Sequence, residues 1–167
     1  MINKFQGEYA FLSTFFDKQI EYNGLIYKNA ESAFQAQKTD SEQLRKKFTR
    51  LLPSEAIRRG RKVLLRSDWE SIKIDIMYEI NKIKFSDDVL KQKLLDTGNE
   101  QLINGNNSND TIWGICQGNG DNKLGKILMK IREEFQNGNE TGDKPKKSKK
   151  SKSNESEPEE ERQLSDI

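Results

Sequence analysis

The chain has 167 residues, the size of one ordinary domain, and its 29 Lys+Arg against 27 Asp+Glu leave a net charge of +2, so charge alone designates no partner. It contains no His and one Cys, which excludes histidine triads, His-ligated zinc, Cys-rich metal sites and an internal disulfide. The first residues, MINKFQGEYAFLSTFF, lack the apolar core of a signal peptide, and no stretch approaches the ~18 consecutive apolar residues of a membrane span, so a cytoplasmic protein without membrane association is expected.

Asn23-Gly24 stands between two short β-prone runs, Ile20 to Tyr22 and Leu25 to Tyr27, and predicts a hairpin with a type I′ turn. Asn29 then caps a helix over 30–39, with Glu31 in its first turn. Ser41 and Ser54 read as caps of two short helices ending at Gly60. Asp68 caps the longest candidate, 69–85, where Trp69, Ile72, Ile76, Ile80 and Ile83 share a narrow arc at ~100° per residue and form a core face. Ser86 caps the next, which carries Leu90, Leu94 and Leu95 and stops at Thr97-Gly98. A last helix holds Leu124, Ile127, Leu128, Ile131 and Phe135 on one stripe. Every Phe, Tyr and Trp precedes residue 137, and 137–167 carries a Lys run (Lys144 to Lys152) followed by a Glu run (Glu155 to Glu161). The expectation is an α+β fold, a mainly helical single domain over 1–136 with a small β element, and a disordered tail over 137–167.

Chemistry-bearing residues gather in a few places. On the 30–39 helix, Glu31, Gln35 and Lys38 share one face, beside a stripe of Ala30, Ala33, Phe34 and Gln37. Such a trio can line a polar pocket, and it equally describes the wet side of an amphipathic helix. The run Asn104 to Gly114 is too rich in turn formers for regular structure. There Asp110 is either a second carboxylate or a turn residue, and Trp113 either a stacking surface or a core anchor. Gly118 and Gly120 lead into the last helix, whose backbone N–H groups are candidates for receiving a phosphate. Arg58, Arg59, Arg61, Lys62 and Arg66 form a basic cluster, either a phosphate contact or a solvated face. Cys116 reads as a small buried apolar residue.

Six blocks stand in an order that resembles the NADAR family, the YbiA-like N-glycosidases associated with NAD and ADP-ribose metabolism. They are GEYAFLSTFF, YNGLIYKNAESAFQAQK, GRKVLLRSDWESIKIDIM, LLDTGNEQLING, NDTIWGIC and GNGDNKLGKILMKIR. The resemblance covers about 1–135. It implies a hydrolase of ribosyl N-glycosidic bonds acting on ADP-ribosyl or phosphoribosyl substrates: guanine carrying ADP-ribose in DNA or RNA, or phosphoribosylamino-pyrimidine intermediates of riboflavin synthesis. It further implies a pocket using Glu31, Lys38 and Asp110 for chemistry, with Trp69, Trp113, Gly7, Glu8, Tyr9 and Phe11 around the substrate. Gln35, Gly118 and Gly120 join that set from the residue reading above. This chain departs from the family at Thr14, where an Asn is common, and at Ser108-Asn109, where an aromatic followed by His or Asn is common. The first replaces an amide by a hydroxyl, and the second removes a possible stacking wall.

Cleavage of a C1′–N bond builds positive charge on the ribose, protonates the departing base and activates water, tasks that Glu31 and Asp110 can divide. Alternatively Lys38 attacks C1′ and forms a Schiff base after ring opening. Neither route needs a metal or cofactor. Two other functions fit the sequence: a non-catalytic ADP-ribose-binding module, and a nucleic-acid adaptor working through Lys144 to Lys152.

Overall fold

Asn23 and Gly24 adopt φ values of 48° and 82°, the left-handed pair a type I′ turn requires, and join β1 (Asp17–Tyr22) to β2 (Leu25–Asn29) as their sequence predicts. Ile20 opposes Tyr27 and both are buried, so this face of the hairpin belongs to the core. The computed structural model describes residues 1–140; the tail expected from 137 onward lies outside the described residues beyond its first four.

β2 runs directly into α1 (Ala30–Ala36), and Asn29 makes the junction. Its Oδ1 accepts the Ser32 N–H at 2.8 Å, while its Nδ2 donates to the Leu51 carbonyl at 3.1 Å. Every residue of α1 is buried. The hairpin, α2 (Glu42–Phe48), α3 (Pro53–Gly60) and α4 (Trp69–Lys84) all pack around it, which leaves it no wet side. α1 ends before the expected residue 39, because the chain turns at Gln37 and Lys38 and is fastened there by Arg66. The Arg66 N–H donates to the Lys38 carbonyl at 2.9 Å, and its guanidinium pairs with Asp40 at 3.4 Å and Asp68 at 2.6 Å.

Ser41 caps α2 as expected, its Oγ accepting the Leu44 N–H. Two other expected caps are corrected. α3 begins at Pro53 and is not capped by Ser54, since the fixed φ and missing N–H of proline suit a first helical position. α5 (Asp88–Asp96) is capped by Asp87 and not Ser86: the Asp87 carboxylate accepts the Leu90 N–H at 3.0 Å and also holds the Lys18 ammonium at 3.1 Å. Asp68 does precede α4, but its carboxylate is engaged by Arg66 and makes no cap bond.

The buried stripe of α4 is also rotated from the expected one. Trp69, Ile76 and Ile80 are inside, whereas Ile83 is exposed and Lys84 takes its place in the core. β3 (Gly105–Asn106) and β4 (Ile115–Cys116) form a short parallel pair, and α6 (Lys123–Glu140) closes the fold, running past the expected boundary at 136. Leu124, Ile127, Leu128 and Ile131 of α6 are buried, and Phe135 packs at the edge of the same core. Tyr78 and Lys82 of α4 both bond Glu134 of α6, the ammonium at 2.6 Å. The architecture is the mainly helical α+β fold expected, with a small β element. No helix among the described residues is long and apolar enough to cross a membrane.

Asn29 joins three segments with one amide. Asn29→Ala therefore costs about 1–2 kcal/mol in urea denaturation, at the upper end for a cap, because the Leu51 carbonyl loses its amide donor along with the Ser32 N–H its acceptor. Ser41→Ala, at a less buried cap, serves as the milder reference.

Candidate active site

Glu31 stands one residue inside the N-terminus of α1 and is only 8% exposed. Two neighbours hold its carboxylate. The Thr14 hydroxyl donates to Oε2 at 2.6 Å, and the Gln35 amide, one helical turn on, donates to Oε1 at 2.9 Å. The Glu31 N–H in turn donates to the Thr14 carbonyl at 3.1 Å, so Thr14 grips the residue at both ends. Gln35 is itself pressed by α3, where a Cβ at Gly60 would stand 2.1 Å from its Oε1; glycine is needed for this approach.

Burial pushes the Glu31 carboxyl above its ordinary range. The Thr14 and Gln35 hydrogen bonds and the Lys38 charge pull it part of the way back, while the Asp110 charge adds to the rise. Lys38 is shifted the opposite way. Burial lowers its ammonium, Glu31 opposes that, and the nearby cations Arg61 and Lys73 reinforce it. An acid with a raised pKa thus stands in the field of an amine with a lowered one. Opposed shifts of this kind between an acid and an amine mark a candidate functional site.

Gln35 bonds Glu31, and Lys38 and Asp110 stand close enough for their charges to act on it; Glu31 and Gln35 are buried on α1 and Lys38 is half-buried in the turn that follows. Asp110 keeps its turn role as well, with Oδ1 accepting the N–H groups of Ile112 and Trp113 at 3.1 and 2.9 Å. Phe34 lies between two indoles, with ring centroids 5.1 Å from Trp69 and 5.3 Å from Trp113. Trp69 is buried, and Trp113 is half-buried and packs against the same core. Glu8, Tyr9 and Phe11 line a cleft of about 490 Å³ with Lys93, Asp96 and Glu100, next to Gly7 at φ 60°. A larger cleft of about 700 Å³ carries Arg58, Arg59 and Lys62 of the basic cluster beside Leu44, Leu51 and Leu64. Glu31, Lys38 and Asp110 line neither cleft.

One expectation fails. The N–H groups of Asp121, Asn122, Lys123 and Leu124 donate to the carbonyls of Thr111, Gly114, Ile112 and Trp113, so the start of α6 has no free amides there for a phosphate. Gly118 and Gly120, at φ 80° and 143°, shape this loop. Cys116 is buried as expected. Among the described residues no three Cys, Asp or Glu side chains are grouped to hold a metal ion. Two contributors were not anticipated: the Thr14 hydroxyl, noted only as a departure, and the pair Arg61 and Lys73 acting on Lys38. Both depend on segments distant in sequence, and no local pattern signals them.

A mainly helical α+β domain built around a buried, clamped glutamate with an amine and a second carboxylate in its field describes the class. The NADAR domain model matches residues 2–136, and the chain belongs to that family. It is 35% identical over 133 residues to N-glycosidase YbiA of Escherichia coli, covering 77% of this chain and 82% of that protein. The same identity and length hold for a riboflavin biosynthesis protein of Vibrio vulnificus, of which only 36% is covered. The NMR structure of Escherichia coli YbiA superposes with a TM-score of 0.72 at 32% identity, covering 83% of this chain and 89% of that one.

Because the fold holds the Glu31 proton more tightly than the unfolded chain does, the stability this group contributes is complete below the ordinary glutamate value of 4.5 and is lost as pH rises through the folded value. Glu31→Gln removes the buried charge. The variant therefore melts above wild type at neutral pH, and the difference closes as the pH falls to 4.5. Thermal denaturation of both chains between pH 4 and 8 tests this, and a pH-independent difference contradicts it.

Proposed function

We propose that this chain hydrolyses ribosyl N-glycosidic bonds, with Glu31, Lys38 and Asp110 as the reacting groups. The observation that carries the reading is a buried Glu31, clamped by Thr14 and Gln35 and standing in the field of Lys38, with burial raising the acid and lowering the amine. Relatives named N-glycosidase and riboflavin biosynthesis protein support the same class of reaction.

Of the two routes open to such a site, the opposed shifts favour the lysine. The Lys38 Nζ lone pair attacks C1′ as the C1′–N bond breaks, and the leaving base takes a proton from Glu31. The new ribosylamine passes a proton from Nζ to the Glu31 carboxylate, which delivers it to O4′ as the ring opens, leaving a protonated Schiff base between C1′ and Nζ. Water gives a proton to Asp110 as it adds to C1′; Asp110 returns that proton to Nζ, and the C1′–Nζ bond breaks as the hydroxyl proton passes to Glu31, releasing the aldehyde and restoring all three side chains. The sum consumes one water and needs no metal or cofactor. Trp113, half-buried beside Phe34, is the ring assigned to stack on the base or the nucleotide. Guanine carrying ADP-ribose in DNA or RNA and phosphoribosylamino-pyrimidines are the two substrate classes, both presenting the C1′–N bond this chemistry cleaves.

Incubation with each class gives free ADP-ribose or ribose 5-phosphate, and the absence of both products from every such substrate overturns the reading. Glu31→Gln and Lys38→Ala are each inactive while still folded. Borohydride added during turnover leaves a covalent ribosyl adduct on wild type and none on Lys38→Ala; an active enzyme that yields no adduct removes Lys38 as nucleophile. Trp113→Ala weakens substrate binding by about 1–3 kcal/mol, read by calorimetry on the inactive Glu31→Gln background.

A further inference from the structure

Lys84 is the largest polar oddity in the core. It is 1% exposed, at the last position of α4, and its Nζ makes a single hydrogen bond, 2.7 Å to the Ser13 carbonyl. The Phe16 and Phe85 rings stand 5.5 and 5.0 Å from the ammonium. Burial drives its pKa down to about 7. A charge so placed opposes folding, and a methionine of similar shape fills the same space without that cost. What the ammonium does accomplish is local. Residues 13–16 are an irregular link between the 3-10 helix Gly7–Leu12 and β1, and no strand or helix ladder fixes them. The Ser13 carbonyl is shared between the Phe16 N–H and Lys84, and the next residue is Thr14, whose hydroxyl and carbonyl grip Glu31.

We propose that Lys84 is a positioning residue for Glu31, acting through the Ser13–Thr14 segment to keep the Thr14 hydroxyl on the glutamate carboxylate. The proposal rests on Glu31 being the acid of the reaction described above, but it concerns the free protein. Lys84 is not one of the leading influences on Glu31, and the hydrogen-bonded path from its ammonium to the carboxylate runs through the Ser13 carbonyl and Thr14.

The test is titration of Glu31 by carbon NMR in the full chain labelled at glutamate, with the signal assigned by its loss in Glu31→Gln. Lys84→Met raises the Glu31 pKa above wild type, because the hydroxyl bond that holds it down is loosened. Thr14→Val does the same, and the double variant shifts no further than Thr14→Val alone, the signature of one pathway. An unchanged titration in folded Lys84→Met, or shifts that add in the double variant, overturns the proposal. So does a Lys84→Met chain that cannot fold, since the residue then serves only the core. On a cleaved substrate, Lys84→Met lowers kcat by up to about 100-fold with KM little changed. Because the NMR titration uses no substrate, a chain that hydrolyses nothing defeats the proposed function and leaves the Lys84 result to be read on its own.

Discussion

The structure turns on a carboxylate kept out of water by a helix that has no solvent side. α1 is seven residues long, too short to be stable alone, and it persists because three helices and a hairpin enclose it. That enclosure is what shifts the Glu31 carboxyl, since the same packing that stabilises the helix raises the cost of ionising the acid it carries. The acidity of Glu31 and the fold are therefore linked by one act of burial, with Thr14 and Gln35 supplying hydrogen bonds that hold the group in place and offset part of the rise.

The lysines illustrate how environment divides one residue type into different roles. Lys38 sits at the turn ending α1, held through its backbone by Arg66 while its amine stays in the field of Glu31. Lys84 is deeper, and aromatic rings and one carbonyl replace its water. The exposed Lys46 pairs with Glu42 on its own helix and contributes little, whereas the partly buried Lys73 pairs with Glu70 and also acts on Lys38.

Features with local causes were legible in the sequence. The Asn-Gly turn, the Asn29 and Ser41 caps and the apolar stripe of α6 each depend on residues within a few positions, and each is found. Glu31 and Gln35 lie on α1 as expected and Lys38 in the turn after it, but the burial of the two on the helix was not readable, because polar residues look the same on a wet face and in an enclosed one. Competition between neighbouring groups caused the other differences. Asp87 displaced Ser86 as a cap by accepting from both Leu90 and Lys18, and Arg66 took the Asp68 carboxylate from its helix. The stripe of α4 was misjudged at its end, where Lys84, seven residues after Met77, points into the core and Ile83 outward. Hydrophobicity ranks those two the wrong way round when a buried carbonyl is waiting for a donor.

The loop that carries Asp110 and Trp113 is bound to the first turn of α6 by four main-chain hydrogen bonds, from residues 121–124 to residues 111–114. Peptide groups are common to all residues, so this frame holds its shape largely independently of the side chains it displays. Asn107, Ser108, Asn109, Thr111 and Ile112 all face solvent on it. The frame thus separates a carboxylate that keeps its place from exposed neighbours with room to vary. That room is unequal: Asn109, at φ 63°, occupies a left-handed position that favours Asn or Gly, whereas a change at Ser108 gives up only its hydroxyl bond to Asn106.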